Sequence, residues 1–155
     1  MTGRTRRRLA FGIIASCMAC LLVIVAVNAV MRWLGDSRPE LSNDIVVGVW
    51  QGAGGCELVL NDDGTFHASQ IPVSLLGSEP PTSATTSGAG RWSVRAAVND
   101  YSGRKTEVAL VFESLDEFPV PYSVNLRSDS VDGKIVLFWF IGDPDLGRRF
   151  ILERT

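Results

Sequence analysis

Two hydrophobic patterns divide the chain. From Leu9 to Met31 the sequence LAFGIIASCMACLLVIVAVNAVM carries no charge, with Ser16 and Asn28 its only clearly polar members. At 1.5 Å per residue a helix of that length reaches roughly 33 Å, enough to cross a hydrocarbon core of about 30 Å. The predicted element is a transmembrane helix over 9–31. After Asp44 the apolar positions recur with period two, the pattern of a strand with one face buried. Residues 45–155 are therefore predicted to form an all-β domain, joined to the helix by a linker over 32–44 whose sequence, LGDSRPELSND from Leu34, mixes Gly, Pro, Ser and charges without periodicity.

Eight strands are predicted along this domain. Ile45 to Gln51 is the first, with Gly48 and Trp50 on one face, and Glu57 to Leu60 the second. Asn61-Asp62-Asp63-Gly64 supplies the positive-φ positions of a tight hairpin, and Thr65 to Gln70 returns with Phe66 and Ala68 inward and His67 outward. Gly90 to Arg95, Lys105 to Glu113, Val120 to Arg127, Ile135 to Ile141 and Arg148 to Arg154 complete the set. In the sixth, Tyr122, Val124 and Leu126 oppose Ser123, Asn125 and Arg127. Such spacing predicts a single antiparallel up-and-down barrel of about eight strands.

Two stretches depart from simple alternation. Ile71 to Ala89, IPVSLLGSEPPTSATTSGA, has three prolines and a Ser/Thr tract and reads as a long excursion over one barrel end, in which Ile71, Val73, Leu75 and Leu76 form a short helical turn that caps the opening. Ile135 to Ile141, IVLFWFI, is apolar on both faces, so something is expected to cover its outer side.

Charge changes the picture of partners and of topology. Arg4, Arg6, Arg7 and Arg8 make residues 1–8 a basic tail directly before the apolar run, and the far side carries Arg32, then Asp36 and Glu40, so the positive-inside rule places the N-terminus in the cytoplasm and the β-domain outside it. All 17 acidic residues lie at or after Asp36 against ten basic ones, a net −7 that argues against phosphate-driven binding of nucleic acid. A cleaved secretory peptide would end its apolar run in small residues, whereas this run continues to Val30. Ile14-Ala15-Ser16-Cys17 offers a lipobox-like rival in which Cys17 is acylated; either anchor leaves the domain extracytoplasmic and held at the membrane. Only Cys56 lies in the β-domain, so no internal disulfide can form there. The predominance of arginine over lysine fits a high-GC bacterial source.

The Gly-x-Trp of Gly48 to Trp50, the Leu-x-Leu hairpin with Asp63-Gly64-Thr65-Phe66, and a second Gly-x-Trp at Gly90 to Trp92 together resemble the small extracytoplasmic lipocalin-like barrels of bacteria. Ile45 to Arg154 also resembles a set of actinobacterial membrane-anchored small β-barrel proteins, through the motif from Phe138 to Asp145. The resemblance implies fold and location, and for true lipocalins an apolar ligand.

Catalytic constellations are sparse. His67 is the only histidine and has no nucleophile elbow near it. Asp62 and Asp63 lack the spaced oxygen ligands and distal glutamate of a calcium loop, and Gly52, Gly54 and Gly55 lack the Lys and helix of a phosphate loop. No cofactor or metal is expected. Asp143 and Asp145, with Asp116 or Glu117, form a rim-carboxylate pair only if their loops converge. The inward aromatic set Trp50, Phe66, Trp92, Phe112, Tyr122, Trp139 and Phe150 either fills the barrel or lines a ligand cavity. The expected function is binding and not catalysis: an apolar ligand or envelope component, or alternatively another membrane or envelope protein held through the outer face of strand 135–141.

Overall fold

The computed structural model describes residues 18, 20–30, 38–77, 84–98, 100, 102–116 and 118–155. Contacts divide the chain into two units, Met1–Asp36 and Ser37–Thr155. In the first, residues 18 and 20–30 are helical with exposed apolar side chains, and the one polar member, Asn28, donates from Nδ2 to Ile24 O at 2.8 Å, one turn back. No helix among the described residues is long and apolar enough to cross a membrane; residues 9–17, 19 and 31 of the predicted span lie outside the described set.

The second unit is a closed antiparallel barrel. Its described strands are β1 (Gly48–Gly52), β2 (Glu57–Leu60), β3 (Thr65–Pro72), β4 (Thr85–Ala96), β5 (Lys105–Leu115), β6 (Tyr122–Val131), β7 (Lys134–Phe140) and β8 (Arg149–Arg154). Each pairs with its sequence neighbours, and β8 returns to β1 with Trp50 opposite Arg154 and Gly52 opposite Leu152. This up-and-down order is the one expected of a lipocalin-like barrel. One end, here the lower, carries the start of β1, the β2–β3, β4–β5 and β6–β7 turns, and the end of β8. Inward side chains from all eight strands form one buried apolar cluster.

Besides β3 running on to Pro72 and β6 spanning Tyr122–Val131 and not Val120 to Arg127, the observed elements correct the expected ones in three places. Ile45 and Val46 do not begin β1. Asn43–Val46 is instead a single helical turn, α1, with Val47 N bonded to Asn43 O at 2.9 Å. Alternation could not reveal this, because an apolar residue leaving the sheet to plug the barrel looks the same as one starting a strand. The segment from Arg38 to Asp44, expected to be linker, belongs to the barrel unit. Leu41 is buried, its amide donates to Lys105 O at 2.7 Å, and Ser128 Oγ donates to Pro39 O at 2.7 Å. The third correction is the polar tract Thr85 to Ala89, which is the first half of β4 and not loop.

Glycine explains that last point. Thr86, Gly88, Gly90 and Trp92 face inward in succession. A Cβ on Gly88 would lie 2.6 Å from Ser114 O and 2.8 Å from the Phe112 ring, and one on Gly90 would lie 2.0 Å from Val111 O. The bare inner face of β4 therefore gives room to Phe112, which meets Phe66 edge to face at 4.9 Å between ring centroids. Low hydrophobicity here reports a volume already filled from β3 and β5. The expected cap forms without Ile71, which belongs to β3: Val73–Leu75 is a 3-10 turn at the upper end, Leu76 is buried behind it, and the Tyr122 hydroxyl donates to Leu76 O.

Gly90→Ala is expected to destabilise the domain by at least about 3 kcal/mol, since its methyl would overlap backbone and no side chain can yield. Gly54→Ala, at φ 72° with nothing within 4 Å, should cost only about 1 kcal/mol of left-handed strain. Urea unfolding of the two variants checks the ordering.

Candidate functional site

The lower end is built around Trp50. Its indole Nε1 donates to Val46 O at 2.7 Å, tying α1 across the barrel mouth. Arg154, opposite Trp50 on β8, lays its guanidinium over Gly48 and donates from Nη2 to Val47 O at 2.7 Å. A Cβ on Gly48 would sit 3.2 Å from Arg154 Nε, and its φ of 138° favours glycine independently. The first Gly-x-Trp is thus a closure device: glycine admits the arginine, tryptophan holds the plug. The second works alike, with Trp92 Nε1 donating to Asn61 O at 2.8 Å and so fixing the β2–β3 turn.

Beside this plug a cleft of about 500 Å³ remains. Ile45 of α1, Trp50, Ile135 and Val136 give it apolar walls, Val131 and Asp132 come from the β6–β7 turn, and Lys134, Glu153 and Arg154 add charge. Asp132 (φ 50°) and Gly133 (φ 76°) make a two-residue turn that holds Val131 opposite Lys134.

The seven aromatic residues fall into one arrangement. Trp50, Phe66, Trp92, Phe112, Trp139 and Phe150 are buried, and Tyr122 is half-buried at the upper end, 6.5 Å from Phe112 and 6.4 Å from Phe118 between ring centroids. Six of the seven pack in the barrel interior without touching the cleft; Trp50 borders it.

Strand β7 is covered by its own neighbours. Its outer face carries Val136 and Phe138, only 4% and 3% exposed, with Phe140 half-buried. Arg149 lies over Phe138 at 4.4 Å and Arg127 over Phe140 at 5.1 Å, so the apolar strand presents guanidinium groups outward instead of a bare hydrocarbon face.

Sequence reasoning missed Glu107. Alternation placed it on the outer face, where a carboxylate is normally solvated, yet it is 3% exposed. In register it sits between Arg95 of β4 and Arg127 of β5's other neighbour, β6, and both guanidiniums approach it, at 3.8 and 3.2 Å. Arg38 arrives from the segment before α1 at 3.8 Å. Strand pairing alone brings the first two together; no local spacing in the chain signals it.

The other candidate groups have structural occupations. Asp143 accepts from Asp145 N at 3.0 Å, capping the 3-10 turn Pro144–Leu146. Asp116 holds the β5–β6 corner, its carbonyl accepting from Thr86 Oγ1 at 2.9 Å, and Glu117 lies outside the described residues. His67 is exposed on β3, opposite Val59 and Ala89. The Thr65 hydroxyl and amide both donate to Asp63 and hold its carboxyl below the usual range. Burial pushes the Cys56 thiol up to about 11, far from a reactive thiolate. Among the described residues no group of three or more His, Cys, Asp or Glu is placed to hold a metal ion.

Replacing Glu107 by alanine leaves three guanidiniums facing one another. Removal of one partner from a buried pair costs about 3–5 kcal/mol, and the partly solvated arginines reduce this to roughly 2 kcal/mol here. Thermal unfolding of Glu107→Ala beside Glu113→Ala, whose pair with Arg91 is exposed and should be worth under about 1 kcal/mol, measures the difference. Site-resolved alkylation at pH 8 should leave Cys56 unmodified in the folded protein and modify it fully in denaturant. No protein-family model, curated protein or solved structure matches the chain.

Proposed function

We propose that the chain is a membrane-tethered, extracytoplasmic and non-catalytic binding domain for an apolar ligand or envelope component. The observation that carries this reading is the apolar-walled cleft of about 500 Å³ at the lower end of a barrel whose interior holds one cluster of buried aromatic and aliphatic side chains. Its volume falls within the range of about 300–1,000 Å³ common for small-molecule sites. The uncharged run over 9–31, with its flanking arginines, supports the tether and the orientation. The structural occupations of Asp143, Glu107 and Cys56 support binding over catalysis.

A second reading has one observation in its favour. Arginine stacked on Phe138 and Phe140 is the chemistry enriched at protein interfaces, so a structural or regulatory protein partner would meet β7 through guanidinium and ring edges.

Two outcomes are expected. Protease added to wall-stripped cells should remove the barrel domain while a cytoplasmic marker survives; full protection would reverse the assigned topology. Protein purified from its host membranes should retain a non-protein species detectable by native mass spectrometry, and Ile135→Glu, which places a charge in the cleft wall, should lose it. Recovery of a stoichiometric protein lost on Arg127→Ala and Arg149→Ala would favour the second reading.

A further inference from the structure

The cleft brings charges of both signs together on one rim. On the barrel wall, Arg127 pairs with Glu107 in register, Arg91 reaches Glu113 on the diagonal, and Arg149 reaches Asp129 across β7. At the cleft, Asp132, Lys134, Glu153 and Arg154 gather on one rim, and among the described residues no ion pair joins any of them. Arg154 spends one donor on Val47 O, while Asp132, Lys134 and Glu153 are exposed at the opening.

The walls are complementary in kind. Trp50, 1% exposed, has already given its indole N–H to Val46 O, so what little of the ring floors the cleft is apolar. Ile45 and Ile135 are packed against the core on one side and remain partly uncovered on the other. The β6–β7 turn, fixed by Asp132 and Gly133 at positive φ, forms a short lip on which anion and cation stand two residues apart.

We infer that the cleft takes a zwitterionic amphiphile, an apolar tail lying against Ile45, Trp50 and Ile135 and a head whose ammonium meets Asp132 and Glu153 and whose anionic group meets Lys134 and Arg154, one charge of each sign standing on the β6–β7 lip and one of each on β8. This rests on the binding reading above and gives it a ligand class. A head of a single sign would meet two attractive and two repulsive charges, whereas a head carrying both signs can orient to satisfy all four. Surface ion pairs are individually weak, so the tail supplies affinity and the head supplies selection.

The test uses the full chain in nanodiscs of anionic phosphatidylglycerol, titrated calorimetrically with two soluble probes that share tails and differ in head: dihexanoyl phosphatidylethanolamine and dihexanoyl phosphatidylglycerol. The ethanolamine probe is expected to bind saturably and about tenfold more tightly than the glycerol probe, a difference of roughly 1.4 kcal/mol. Lys134→Glu should weaken the ethanolamine probe, and Glu153→Lys should shift preference toward the glycerol probe; both positions are exposed, so the fold should tolerate them. If phosphatidylethanolamine built into the nanodisc blocks the soluble probe, the natural source is a bilayer lipid; if it does not, the source is a free amphiphile, and either result upholds the ligand class. Equal binding of both probes, or a preference that Glu153→Lys leaves unmoved, overturns the zwitterion assignment while leaving the apolar-ligand reading standing. Absence of saturable binding by either probe overturns both.

Discussion

Closing an eight-stranded sheet on itself removes every free strand edge and leaves two open ends, through which water would reach the core unless other parts of the chain fill them. At the upper end the 3-10 turn at Val73–Leu75 and the buried Leu76 do this, held by Tyr122. At the lower end the residues from Arg38 to Val46 come over the rim and place Leu41 and Val46 among the core side chains. Trp50 and Arg154 then fasten that plug to both strands of the closing seam, so the sheet, its last pairing and its seal depend on one another.

The candidate site is a by-product of this arrangement. The plug covers the β5 and β6 side of the mouth through Leu41 N to Lys105 O and Pro39 O to Ser128, and leaves the β7 and β8 side less filled. A tightly packed interior beside an incompletely covered mouth is why the opening lies at a rim and borders one of the seven inward aromatics. Fold and candidate site are thus separable: the six other aromatics belong to the packed core, and the charged rim residues stand outside it.

Much of the fold was legible in the sequence because alternation survives wherever one strand face is buried. Phe66, Leu110, Leu126 and Leu152 announce their strands in this way, as does the turn at Asp63-Gly64, whereas the polar run Ser128 to Val131 hid the last residues of β6. Legibility failed where volume and not polarity decided the outcome. Thr86, Gly88 and Gly90 face the core because Phe112 already occupies it, and no reading of β4 by itself contains that information. The cleft was illegible for a related reason: Ile45, Lys134 and Arg154 belong to three separate segments that meet only after closure. Glu107 needed the register of both its neighbours, Arg95 and Arg127, before its burial made sense.

The clasp of Arg38 on Glu107 also has a mechanical meaning. Followed from residue 38, the chain meets the barrel first at the lower end of β5, through the Glu107 carboxylate and the bond from Leu41 to Lys105, and only afterwards at β1. Strand β1 is short and shares the closing seam, so a load applied directly to its end would peel it from β2 and β8 one bond at a time. Through Arg38, Pro39 and Leu41 the chain instead engages two long strands paired side by side, β5 and β6, before it reaches that seam. The segment is gripped by the long strands ahead of the short one, as a cable is clamped before it reaches its connector.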